Sequence, residues 1–115
     1  MTIGALFATA IAIVAGPVVA ADLAAAKKNF SLFCASCHGE TGHADGFAAA
    51  RLPGKQRDFS NCTAMKRFSD ETLFTAIKEG GAAAGMSTAM PPGKDVFRDD
   101  EIKDLVSYVR SFCKR

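Results

Sequence analysis

The stretch CASCH at residues 34–38 is the feature that most constrains this chain. Two thiols separated by two residues and followed directly by an imidazole are typical of a structural zinc site, a redox-active dithiol or a covalent haem attachment site. A zinc site needs four ligands, so Cys62 and either His38 or His43 would have to complete it, but zinc ligands usually come as two close pairs and no second close pair is present. A thioredoxin-type dithiol begins a helix in a βαβ unit, whereas CASCH follows a helical pattern.

The haem interpretation explains the spacing chemically. Two thiols add to the two vinyl groups of one haem, and a gap of two residues lets both sulfurs reach the same edge of the macrocycle. The next residue then presents its imidazole to the iron. The sequence therefore predicts one haem c, attached through Cys34 and Cys37, with His38 as an axial ligand of the iron. The alternative is two structural cysteines beside a loop histidine.

Four side chains are candidates for the second axial position: His43, Met65, Met86 and Met90. Met90 precedes Pro91-Pro92, which keep the backbone extended and rigid around it. A thioether is a weak ligand and benefits from a loop that is already in place, so we expect Met90 to bind the iron. Met86 is expected to pack near the haem edge, Met65 to be a core or edge residue, and His43 to be an exposed loop residue.

The amino-terminal segment carries no charge over residues 2–21. An apolar core followed by a proline and small residues is typical of a secretory signal peptide, cleaved here near Ala20 or Ala21, although no Lys or Arg precedes the apolar run. Its length is also close to the roughly 20 residues of a membrane span. Residues 1–21 are therefore either removed or retained as a membrane anchor, and both interpretations place the domain 22–115 in the periplasm.

Length and charge predict one small domain. The formal net charge is +2 and the basic residues are scattered, which excludes a nucleic-acid-binding class. A domain of this size buries a modest fraction of its surface, so a large cofactor or a crosslink would help to stabilise it.

Three segments have the periodicity of amphipathic helices. The first begins after Asp22 and runs into the CASCH stretch, the second follows Ser69 and ends at Gly80-Gly81, and the third begins near Asp99. Residues 47–68 show no strong period, and no segment alternates convincingly with a period of two. The sequence predicts an all-α domain of three main helices and long loops.

Together these segments resemble the small monohaem class I cytochromes c of bacteria. The resemblance rests on NFSLFCASCHGETG (residues 29–42), on DETLFTAIKEGG (70–81) followed by MPP (90–92), and on EIKDLVSYVRSF (101–112). It thus covers most of the domain.

The resemblance implies a cytochrome c fold wrapped around one covalent haem c. Its first and last helices would cross near a right angle where Phe30 meets Tyr108. Ala26 stands where the family usually has glycine, so a slightly wider crossing is expected. The resemblance also implies that a proline carbonyl accepts a hydrogen bond from the proximal imidazole, and the proline between the two expected iron ligands is Pro53.

The function implied is that of a periplasmic one-electron carrier, not an enzyme, because iron held by His and Met has no open site. The expected partners are redox proteins: a quinol-oxidising complex or dehydrogenase as donor, and a terminal oxidase or reductase as acceptor. We expect a monomer that binds no nucleic acid and meets a membrane only if residues 1–21 are retained. Lys94 is a candidate for orienting a docking partner, and Lys55 and Arg57 for lying near the haem propionates.

Two other functions stay open. One is a haem subunit of a membrane-anchored redox complex. The other is a peroxidase-like or small-ligand-binding haem protein in which the methionine ligand is labile.

Two further cysteines, Cys62 and Cys113, lie outside the CASCH stretch. Free thiols are a liability in an oxidising compartment, so we expect a disulfide between them. The alternative is two buried free thiols.

Overall fold

A computed structural model describes residues 1, 3–17 and 19–114. Thr2, Val18 and Arg115 lie outside this description. The α-helices are α1 (Leu23–Phe33), α2 (Ala35–His38), α3 (Cys62–Met65), α4 (Asp70–Glu79) and α5 (Asp99–Ser111). Single 3₁₀ turns occur at Ala49–Arg51, Ala82–Ala84 and Phe112–Lys114. The described residues contain no strand, and the predicted all-α class with three main helices, α1, α4 and α5, is confirmed.

The first helix begins where the sequence predicts it. The Oδ1 atom of Asp22 caps α1 by accepting a hydrogen bond from the backbone N–H of Ala25 at 3.0 Å. One face of α1 buries Ala26 and Phe30, each 1% exposed. The ring of Phe30 lies 5.3 Å from that of Tyr108 on α5, so the expected meeting of these two aromatic residues is confirmed.

Helix α5 supplies the most deeply buried face of the domain. Ile102 and Leu105 are 0% and 1% exposed, and burial of such a side chain contributes about 1.5–3 kcal/mol each. The first turn of α5 carries three acidic residues, Asp99–Glu101, which suit the positive end of the helix dipole. Because α5 packs against both α1 and α4, the core lies among these three helices.

Helix α4 ends in a turn that brings the chain back along the helix. Its start is capped by Ser69, whose Oγ accepts a hydrogen bond from the N–H of Thr72 at 3.0 Å. Its end is set by Gly80, whose φ of +91° is rarely adopted by other residues. The returning chain is held where the N–H of Gly93 donates to the carbonyl of Ile77 at 2.7 Å.

The amino-terminal segment lies outside the helical domain. The described residues among 1–21 are exposed and form no helix, and Leu6 and Phe7 are 100% and 94% exposed. In the described part of the chain, no helix combines the length and apolar character that crossing a bilayer requires. The choice between a cleaved signal peptide and a retained anchor stays a prediction, as does the domain boundary at residue 22.

Candidate functional site

The two thiols of the CASCH stretch lie on a tight turn. Cys34 ends α1, and α2 follows directly. Cys34 and Cys37 are both partly buried and unbonded. Burial, and then the neighbouring Cys37, raise the pKa of the Cys34 thiol to about 11, so this thiol is neutral at neutral pH.

A loop folds back and fixes the CASCH stretch through its backbone. The N–H of Ala44 donates to the carbonyl of His38 at 2.9 Å, and that of Ala48 donates to the carbonyl of Ser36 at 2.8 Å. The approach is so close at Gly46 that an added Cβ would lie 2.2 Å from the carbonyl oxygen of Ser36. The backbone of the predicted haem-binding residues is therefore held rigidly.

The imidazole of His38 is held by an aromatic ring. It stacks on Phe59, with the ring centroids 4.6 Å apart and the planes at 21°. Burial lowers the pKa of His38, which favours the neutral imidazole that binds metals. Its Nδ1 atom is buried and has no hydrogen-bond partner among the described residues, an arrangement that costs about 1–3 kcal/mol unless a partner is gained.

The hydrogen bond expected between this imidazole and Pro53 is not formed in the structure, where the Nδ1 atom of His38 has no partner and the ring stacks on Phe59. Pro53 nevertheless lines the same cavity as His38. Its role as a hydrogen-bond acceptor stays a prediction.

A cavity opens beside His38. Its larger part, the outer chamber, has a volume of about 410 Å³, within the range of roughly 300–1,000 Å³ that is usual for ligand and cofactor pockets. An inner chamber of about 70 Å³ shares several of its walls and reaches core residues such as Leu105 and Val109. The predicted haem-binding residues that line the outer chamber are Cys34, Cys37, His38, Pro53 and Met90.

The four candidates for the second axial ligand differ in their position relative to this cavity. Met86 and Met90 line both chambers, whereas Met65 lines the inner chamber only and is 2% exposed within the core. His43 is exposed, its ring nitrogen lies 2.8 Å from the hydroxyl of Thr41, and it is not among the residues that line either chamber. The structure thus brings three of the four candidates to the cavity that His38 lines, but only Met86 and Met90 to its outer chamber.

The lining of the outer chamber suits a large apolar cofactor with acidic edges. Its charged residues are Lys55 and Arg57, and no Asp or Glu is among the described residues that line either chamber. The guanidinium of Arg57 lies 4.4 Å from the ring centroid of Phe68. An apolar macrocycle fits the apolar walls, and two propionates fit two cations. With two thiols, a neutral imidazole and a thioether as donors, the residues present fit haem c.

The comparisons with known proteins indicate a c-type cytochrome. The family model described as Cytochrome C oxidase, cbb3-type, subunit III matches residues 21–109. The chain belongs to this family. Among solved structures, the KustC0563 c-type cytochrome is similar with a TM-score of 0.61 and 28% sequence identity, over 76% of this chain and 95% of that one. No curated protein matches the chain significantly.

The expected resemblance to a small c-type cytochrome, and the cytochrome c fold, are therefore confirmed. This family membership implies a haem protein of the electron-transfer class. The attachment through Cys34 and Cys37 and the iron ligands His38 and Met90 stay predictions.

Two residues of this cytochrome's site gave no signal in the sequence. Phe59, which stacks on His38, lies in the segment 47–68 that lacks a periodic pattern. Arg110 on α5 reaches across to the carbonyl of Met65, 2.9 Å from its Nη1. Both contacts join parts of the chain that are distant in sequence, which a local pattern does not report.

The remaining cysteines lie side by side. Cys62 begins α3 and Cys113 follows α5, with their Cα atoms 5.1 Å apart and their sulfurs 2.03 Å apart, in disulfide contact. This contact occupies the cysteine considered above as a further zinc ligand. Beside it, Phe112 stacks on Phe59, with the ring centroids 6.2 Å apart. The bond in the purified cytochrome stays a prediction.

Proposed function

We propose that this cytochrome is an exported one-electron transfer protein with one covalent haem c, attached through Cys34 and Cys37. His38 and Met90 are its proposed axial ligands. The observation that carries the proposal is that these four side chains line a single chamber of about 410 Å³. When bound, haem supplies a one-electron Fe(II)/Fe(III) couple, and a thioether ligand raises its potential.

Electron transfer is favoured over an enzymatic role by the position of Met90. Met90 lines the same chamber as His38, so its thioether could bind the iron and would then leave no open position for peroxide or a small ligand. A peroxidase-like function would require Met90 to leave. The carbonyl of Met90 accepts a hydrogen bond from the N–H of Gly81, and three residues later the N–H of Gly93 donates to the carbonyl of Ile77. Both hydrogen bonds oppose that movement.

Two cations are the proposed partners of the haem propionates. Lys55 and Arg57 line the outer chamber, where their charges would stabilise carboxylates. The propionates would offset the formal charge of +2. Lys94, the candidate for orienting a partner, has its Nζ atom 3.1 Å from a carboxylate oxygen of Glu79. With the net charge offset and Lys94 paired, we expect weak, transient partner binding.

The donor and the acceptor are proposed as classes of redox protein. We propose a quinol-oxidising complex or a dehydrogenase as donor and a terminal oxidase or reductase as acceptor. The matching family is described as an oxidase subunit, which supports an oxidase as acceptor. It also supports a second candidate function, in which the domain is a haem subunit of a membrane-anchored redox complex.

Fractionation separates the carrier from the subunit. A carrier is expected in the soluble periplasmic fraction as a monomer whose amino terminus lies near residue 22. A subunit is expected in the membrane fraction with residues 1–21 intact, and it should co-purify with its complex. Recovery from the cytoplasm would contradict both candidates and the proposed export.

The ligand assignment is tested with Met90→Ala, and Met86→Ala is the matched control because both methionines line both chambers. In the oxidised holoprotein, Met90→Ala should lose the far-red sulfur-to-iron charge-transfer band, and its reduced form should bind CO rapidly. Met86→Ala should do neither. The reverse pattern would assign the ligand role to Met86, and a wild type without the band that binds CO rapidly would support the small-ligand-binding alternative.

Covalent attachment is tested on the denatured protein. Haem should remain with the wild-type polypeptide and be extracted from a variant with both Cys34→Ala and Cys37→Ala. Extraction from the wild type would refute the thioether links.

A further inference from the structure

The backbone of Gly81 contacts both methionines of the cavity wall. Its N–H donates to the carbonyl of Met90 at 3.0 Å, and its own carbonyl accepts a hydrogen bond from the N–H of Met86 at 2.8 Å. Gly81, which lies just beyond the end of α4, therefore holds both ends of the segment 86–90. This segment carries the proposed axial methionine.

Conformational freedom does not explain why this position is a glycine. Gly81 has φ −62° and ψ −39°, values that any residue adopts, whereas its neighbour Gly80 has φ +91°. Close approach explains it instead. A Cβ added to Gly81 would lie 2.1 Å from the carbonyl oxygen of Ser87 and 3.2 Å from the Cβ of Met90. The nearer atom belongs to the backbone, so a side chain here requires the segment itself to move.

We propose that Gly81 is a positioning residue for the axial methionine, an inference that rests on the proposed ligation by His38 and Met90. Without a side chain at residue 81, the segment 86–90 packs directly on the end of α4. The thioether then stays in the chamber, and an added ligand can reach the iron only in the small fraction of molecules in which the segment has moved. The apparent affinity for that ligand is reduced by this fraction.

The test measures the affinity of the oxidised holoprotein for imidazole by absorbance titration. Gly81→Ala should bind imidazole about five- to tenfold more tightly, the factor expected when one backbone hydrogen bond is lost, and its far-red band should weaken. Ala83→Ser is the matched control, because Ala83 is exposed in the 3₁₀ turn that follows Gly81. This control should leave both the affinity and the band unchanged.

A double-mutant cycle separates positioning from general destabilisation. In the Met90→Ala background the proposed axial thioether is absent, so adding Gly81→Ala should leave the imidazole affinity unchanged. The proposal would be overturned if Gly81→Ala raised the imidazole affinity equally in the wild-type and Met90→Ala backgrounds, or raised it in neither. A wild type that lacks the far-red band and binds imidazole as Met90→Ala does would instead refute the ligation by His38 and Met90 itself.

A measurement on the wild type keeps the proposal testable if Gly81→Ala does not fold. The amide of Gly81, bonded to Met90, should be protected from hydrogen exchange in the methionine-ligated protein and should lose protection when imidazole saturates the iron. Protection that does not change on saturation would overturn the proposal.

Discussion

Replacing Arg110 by methionine should weaken one wall of the haem cavity and destabilise the whole cytochrome. The guanidinium projects from α5 to the segment between α3 and α4. Its Nη1 donates to the carbonyl of Met65 at 2.9 Å, and its Nη2 donates to the carbonyl of Phe68. Since Met65 and Phe68 both line the inner chamber, one side chain fastens two residues of the wall to α5.

The magnitude follows from these two contacts. A hydrogen bond to a charged group contributes about 1.5–3 kcal/mol. The substitution leaves the carbonyl of Phe68 without this donor, whereas the carbonyl of Met65 keeps a hydrogen bond from the N–H of Phe68 at 3.2 Å. The Arg110 side chain is 23% exposed, so water replaces part of the loss, and we expect a total of about 2–4 kcal/mol. The contact with Asp70 adds little, because Asp70 is 76% exposed and exposed ion pairs contribute about 0–1 kcal/mol.

The assay is thermal and guanidinium unfolding of the holoprotein. A loss of 2–4 kcal/mol corresponds to a melting temperature lower by about 10–25 °C in a domain of this size. Arg98→Met is the matched control, since Arg98 is 73% exposed and pairs with Asp100 at the surface. This control and Asp70→Asn should each cost under about 1 kcal/mol. Arg110→Met costing no more than Arg98→Met, or Asp70→Asn costing as much as Arg110→Met, would refute the reasoning.

Two further predictions concern the cysteines and one acidic side chain. Alkylation of the denatured holoprotein should find Cys62 and Cys113 reactive only after reduction, and replacing both by alanine should cost about 4 kcal/mol for a loop of 51 residues; two reactive thiols before reduction would show that they are free. Hydrogen bonds from the hydroxyl and the N–H of Ser60, at 2.6 and 2.9 Å, hold the pKa of Asp58 below its usual range, so their stabilising effect is present above the ordinary pKa of Asp and is lost as the pH falls through the lowered value. Ser60→Ala should raise this pKa towards the ordinary value in an NMR titration, and an unchanged titration would contradict the assignment.

Local patterns were sufficient for most of the helical architecture. Asp22 and Ser69 cap α1 and α4 through side-chain bonds to the N–H three residues later, and Gly80 ends α4 with a positive φ. Each signal acts within one turn of the chain, so it can be read without knowledge of the fold. The same holds for CASCH, whose two thiols and imidazole lie within five residues.

The contacts that hold the cavity together could not be read in this way. Phe59 lies in a segment without periodicity and meets His38 only because the chain folds back over the 20 residues between them. Arg110 meets its two carbonyls across 45 and 42 residues of sequence. The need for glycine at residue 81 depends on the approach of Ser87, which no propensity describes.

The sequence by itself determined the three main helices, the class of cofactor and the family resemblance, because caps, periodicity and the spacing of CASCH are properties of short stretches. Only the tertiary structure decided which candidate ligands share a cavity with His38. It placed Met86 and Met90 on the wall of the outer chamber, confined Met65 to the inner chamber and left His43 exposed. The physical reason is that a cavity is made by segments that pack together across long separations, here α1, the end of α4 and the returning loop, and its shape depends on all of them at once.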